Sequence, residues 1–146
     1  MHPVSEGPVD ENGVTDQPRA YGLWESAVTP RLLAQGRQLK GVCWDSDGQT
    51  LVWLEERSGR GVLVAQSATG EAPNDLTSEH NVRAEVGYGG GDFTVHRGQV
   101  FFVGCPTGQL FRQAIEGGTS RAVTPQFGKI AAPAVSPDGR YVVYVH

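Results

Sequence analysis

The sequence predicts an all-β chain built from repeated antiparallel units, and three observations carry that reading. Period-two apolar runs dominate everything after Gly36. Short clusters of Gly, Asp, Asn and Pro punctuate those runs, as tight turns require. The same strand–turn–strand pattern then occurs three times, its turn glycine falling at Gly48, Gly98 and Gly139, 50 and then 41 residues apart.

Residues 1–20 are polar, acidic and broken by proline, which predicts a disordered tail. In YGLWESAVTPRLLAQG, Thr29 as cap, Pro30 at the first helical position and Gly36 past the end predict a short N-terminal helix. The first repeat follows in GVCWDSDGQTLVWLEE, residues 41–56, with a turn at Ser46-Asp47-Gly48. A third strand is expected at Gly61–Ala65, a turn around Gly70, and an edge strand ending in Asp75-Leu76-Thr77. The second repeat runs from DFTVHRGQVFFVG, residues 92–104, through a strand at Gln109–Gln113, a turn at Glu116–Thr119 and an edge strand ending near Pro125. The third, PAVSPDGRYVVYV, contains only the first two strands.

Four strands in a unit of about 40 to 50 residues is the signature of a β-propeller blade. The expected organisation is blade one at about 38–78, blade two at about 92–125 and the start of blade three at about 131–146. Since propellers close with roughly four to eight blades, these two and a half read as the front of a larger protein. Open blade edges give an expectation of self-association.

Composition narrows the partners. The net charge is −4 and no Lys/Arg cluster occurs, which argues against nucleic acid or an anionic membrane surface. No stretch reaches membrane-spanning length and the N-terminus lacks the pattern of a signal peptide, so a cytoplasmic location is expected. Cys43 and Cys105 do not form a disulfide framework and are expected to be buried free thiols.

Several strings carry a chemical reading beside a structural one. Gly118-Thr119-Ser120-Arg121-Ala122 approximates a nucleophile elbow, but it leads into a strand, and the elbow needs a helix behind its serine. Asp45-Ser46-Asp47-Gly48 opens like a calcium loop, yet its twelfth position falls inside a strand, so it reads as a turn. Gly87-Tyr88-Gly89-Gly90-Gly91 precedes a strand and so lacks the helix N-terminus of a phosphate cradle. His2, His80, His96 and His146 have no metal-ligand spacing and are expected at the surface, while Trp24, Trp44 and Trp53 are expected to pack between blades. No metal or cofactor is expected.

The stretches YGLWESAVTPRLLAQG, WDSDGQTLVWLEERSGRGVLV, NVRAEVGYGGGDFTV and SRAVTPQFGKIAAPAVSPDGRYVVYV occur in an order with a family likeness. The chain resembles, over about residues 21–146, the N-terminal propeller of prolyl-oligopeptidase-family serine peptidases, in particular the acylaminoacyl-peptidase or dipeptidyl-aminopeptidase-like branch. It departs from that branch at Val86-Gly87, where a His-Glu pair is usual, and at Glu56–Arg60. The resemblance implies a C-terminal α/β-hydrolase domain that holds a Ser-Asp-His triad and follows this chain in a parent protein. It also implies that the propeller admits only short or unfolded peptides. The loop His80–Tyr88 would lie near the tunnel or the domain interface, making Arg83, Glu85 and Tyr88 candidate contacts to substrate or hydrolase. For Arg83 and Glu85 the structural alternative is an internal ion pair. A second class of reading is a TolB-like propeller without catalysis, binding protein or peptide.

Overall fold

In blade one, β1 (Gln38–Trp44), β2 (Thr50–Arg57), β3 (Arg60–Ser67) and β4 (Asn74–Asp75) form an antiparallel meander. The computed structural model describes residues 36–83 and 91–146; the tail, the Thr29–Gly36 helix apart from its last residue, Trp24, Glu85 and Tyr88 lie outside them. Arg57 pairs with Arg60 across Ser58 and Gly59, whose φ values of 52° and 79° make the mirror-image turn that matches strand twist. Blade two repeats the plan in β6 (Phe93–His96), β7 (Gln99–Cys105), β8 (Leu110–Ala114) and β9 (Arg121–Ala122). Its first turn is the same type, with Arg97 at 48° and Gly98 at 71°. Two strands, β10 (Ala131–Val135) and β11 (Val142–Val145), form the third unit. All described secondary structure is strand, in a partial propeller-like arrangement in which β6 lies beside both β1 and β10.

Alternation decides which side chains meet. Residues directly opposite in an antiparallel pair share a face, so Val52 and Leu54 of β2 lie with Leu63 and Ala65 of β3. That face packs against Phe93 and Val95 of β6 and Val100 and Phe102 of β7. The other face of β7, Phe101 and Val103, packs with Leu110, Ile130, Val135 and Val142 toward the third unit. Both faces of β7 are covered, which is why its sequence reads as the unbroken run Val-Phe-Phe-Val rather than an alternation. Each buried side chain of this size contributes about 1.5–3 kcal/mol.

A short strand missing from the sequence-based expectation fastens the two blades. β5 (Asn81–Val82) pairs with β3 at Gly61 and with β7 at Gly104 and Cys105, joining both meanders into one hydrogen-bonded path. The approach needs glycine, since a Cβ on Gly61 would stand 1.9 Å from the Val82 carbonyl oxygen.

Three expectations are corrected. Cys105 is exposed and Cys43 only half-buried, though both are free thiols. Trp44 and Trp53 lie on the face of blade one turned away from blade two, which leaves Trp44 exposed and Trp53 half-buried beside Glu55. His80 and His96 are partly enclosed, the His80 ring 4.8 Å from that of Phe111 and the Nε2 of His96 buried.

Candidate functional site

Arg83 leaves β5 in a fixed direction because its own N–H donates to the Val103 carbonyl at 3.0 Å. Val103 in turn donates its N–H to the Asp92 carbonyl at 2.9 Å, so β7 positions both residues from one point. The Arg83 guanidinium then donates from Nε to Asp92 Oδ2 at 3.0 Å and from Nη2 to Oδ1 at 2.6 Å. Nη2 also donates to the Ile130 carbonyl at 2.6 Å. The Asp92 side chain is fully buried. Hydrogen bonding to Asp92 raises the Arg83 pKa and keeps the guanidinium charged. The planar fork suits a carboxylate, and a lysine would reproduce only its charge.

Arg83 thus joins three segments: the exit from blade one, the entry to blade two and the entry to the third unit. The internal ion pair weighed for Arg83 exists, with Asp92 as its carboxylate. In the sequence Asp92 is an acid between a glycine run and a strand, with no local sign of its partner.

A second group of polar side chains lines a cleft of about 240 Å³ between the outer loops of the two blades. Here the Ser120 hydroxyl is hydrogen-bonded to His80 Nε2. The His80 ring packs on Phe111 and lies 5.7 Å from Phe102. Gln113 donates to the Leu76 carbonyl at 2.7 Å, and Thr77 Oγ1 accepts from the Leu63 N–H at 2.9 Å. Arg60 reaches the carbonyls of Thr77, Ser78 and His80. A serine beside a histidine has the composition of a dyad but not its surroundings. Ser120 runs directly into β9, and no helix occurs among the described residues to supply the elbow's oxyanion donors. The pair ties two loops together.

At the opposite turns, the Asp45-Ser46-Asp47-Gly48 segment works as a tether. Asp45 Oδ2 accepts from the Gly98 N–H at 2.7 Å, and Ser46 Oγ accepts from the Arg97 N–H at 2.9 Å. Asp45 is buried and its other oxygen accepts from the Ser46 N–H. Its carboxylate satisfies the turn of the next blade rather than an ion. Among the described residues no group of three or more His, Cys, Asp or Glu is placed to hold a metal, and no helix is long and apolar enough to cross a membrane.

The architecture has a counterpart among solved structures. The chain is similar in fold to a peptidase. That protein is a Mycobacterium tuberculosis puromycin-hydrolyzing peptidase, matched with a TM-score of 0.65 and 23% identity over 84% of this chain. The match covers 20% of the peptidase, so this chain spans about a fifth of its length. No family model and no curated protein matches the sequence. A likeness at this identity establishes the fold, a layout of stacked antiparallel units that a peptidase also contains.

Proposed function

We propose that this chain is the non-catalytic propeller portion of a serine peptidase of the prolyl-oligopeptidase type. In this reading it restricts access and positions short peptides for an α/β-hydrolase domain carried elsewhere in the parent polypeptide. The observation that carries the reading is the fold shared with a puromycin-hydrolyzing peptidase over 84% of the chain. The sequence resemblance over about residues 21–146 points the same way. Hydrolysis in the parent would proceed through a seryl acyl-enzyme, with the propeller contributing selection by size.

The test compares two proteins. The 146-residue chain is expected to hydrolyse no aminoacyl arylamide and to take no fluorophosphonate label. The polypeptide encoded by the whole reading frame is expected to cleave short peptides, to label, and to leave folded proteins intact. Labelling of the 146-residue chain, or a full-length product without peptidase activity, overturns the proposal. The second outcome is the one that a TolB-like binding scaffold would give.

A further inference from the structure

The turn between β10 and β11 has a twin in blade one. Gly48 donates its N–H to the Asp45 carbonyl at 2.9 Å, and Gly139 donates to the Ser136 carbonyl at 2.8 Å. Asp45 N–H reaches the Thr50 carbonyl at 2.8 Å and Ser136 N–H reaches the Tyr141 carbonyl at 2.9 Å, closing both turns alike. Both glycines have positive φ, 68° and 73°. Their surroundings differ. A Cβ on Gly48 would meet nothing within 4 Å among the described residues, whereas one on Gly139 would stand 3.0 Å from His96 Nε2 and 3.2 Å from its Cδ2. The imidazole at the end of β6 is the seat of the third unit's turn.

His96 Nε2 is buried there and has no hydrogen-bond partner among the described residues. A neutral ring tolerates this contact, since an unprotonated nitrogen sets only a lone pair against the glycine. A proton on Nε2 would place a charged N–H donor where no acceptor stands. The neighbouring charges do not repair the loss. Arg97, beside His96 in the same hairpin, brings Nη1 to 3.9 Å from the same point on Gly139 and adds positive charge. Arg140 follows Gly139 in the facing turn. Asp138, the acid of that turn, is exposed, and its Oδ1 accepts from the Ser136 hydroxyl and the Arg140 N–H. From blade one, Asp45 accepts from the Gly98 N–H, Asp47 from the Gln49 N–H, and Lys40 of β1 is paired with Glu56. Gln99 stands opposite His96, and neither β7 nor β10 contains Asp, Glu, Lys or Arg.

We propose that His96 is a pH-sensitive latch: neutral, its ring seats the Ser136–Arg140 turn on blade two, and a proton on Nε2 releases that turn. The released state accepts one more proton than the seated state, so the contact is complete at high pH and is lost as the pH falls. Histidine is the side chain whose charge changes between about pH 5 and 8. The inference concerns the junction of blade two with the third unit and is independent of the peptidase reading.

Solution NMR on the 146-residue chain, titrated from about pH 8 down to about pH 5, provides the test. At the alkaline end, nuclear Overhauser contacts are expected between the His96 ring protons and the Gly139 Hα protons. They are expected to disappear as the ring takes up its proton. Amide shifts should move with them at Ser136, Gly139 and Tyr141, and far less at Gly48 in the twin turn. His96→Phe keeps a flat ring that cannot be protonated and is expected to hold the contact to the acid end. If that variant does not fold, His96→Gln takes its place, with constant amide shifts at Ser136, Gly139 and Tyr141 as the expected readout. Three results overturn the inference: a wild-type contact intact at the acid end, a contact that strengthens there as pairing with Asp138 would produce, or a variant whose turn shifts follow pH as wild type does.

Discussion

Arg83 and Asp92 meet through two hydrogen bonds, of 3.0 and 2.6 Å, and the same guanidinium holds the carbonyl of Ile130 at 2.6 Å. Truncating Arg83 leaves a fully buried carboxylate without its counter-charge. Arg83→Ala is expected to cost about 3–5 kcal/mol, read as a lowered urea midpoint with an unchanged slope. Arg83→Lys keeps the charge, loses the fork and is expected to fall between. A variant within experimental error of wild type would remove the clamp from the architecture.

The closeness of β5 to β3 sets a second expectation. The obstacle to a Cβ at Gly61 is the backbone oxygen of Val82, which cannot rotate aside like a side chain. Gly61→Ala is expected to separate β5 from β3 and to cost more than about 3 kcal/mol, beyond the range of ordinary substitutions. Amide hydrogen exchange should quicken at Val82 and Arg83 before it does so at Val100 or Phe102. Uniform protection in the variant would contradict this placement of β5.

Equivalent positions in β2 and β11 should respond differently to the same truncation. Leu54 is buried and Val145 exposed, though each stands six residues past its turn glycine. Leu54→Ala is expected to cost about 2–5 kcal/mol through lost burial and the cavity left behind. Val145→Ala is expected to stay within about 0.5 kcal/mol of wild type when measured on the dilute monomer. Equal losses would mean that the faces of the third unit have been assigned the wrong way round.

Acid sensitivity should originate in blade one. Burial alone would raise the Glu55 pKa, but hydrogen bonds from Trp53 and Arg57, with the positive charges of Arg57 and Arg37, outweigh it and lower the pKa. The bidentate hydrogen bond from Arg57 likewise lowers that of Asp75. Both carboxylates bind protons more weakly folded than unfolded. Their stabilisation is therefore complete above the ordinary values of 4.5 and 3.8, and is lost as pH falls below them through the folded values. Urea midpoints taken downward from neutrality should drop in that range for wild type and less steeply for Glu55→Gln. An identical acid limb in the variant would exclude Glu55 as a source.

Much of this arrangement could be read in advance because turns and alternation are local. Gly48, Gly98 and Gly139 mark the three hairpins, and Val-Phe-Phe-Val marks β7 without reference to its neighbours. β5 is not legible in the sequence because two residues, Asn81 and Val82, are too few to show a period. The exposure of Trp44 is hidden for a different reason. Period two separates a strand's two faces but does not say which one a neighbour covers, and Trp44 lies on the uncovered side. The partner of Arg83 was likewise non-local, since Asp92 becomes an obvious counter-ion only when β7 brings the two chain segments together. The Ser120–His80 contact joins residues 40 apart in sequence, and no spacing rule connects them.

Because β7 divides its side chains between two separate cores, adjacency along the chain is a poor guide to epistasis. Phe101 and Phe102 are consecutive yet belong to different clusters, while Val52 and Phe102 share one across fifty positions. A double-mutant cycle should find near-additive effects for the consecutive phenylalanines and a substantial coupling energy for the distant pair.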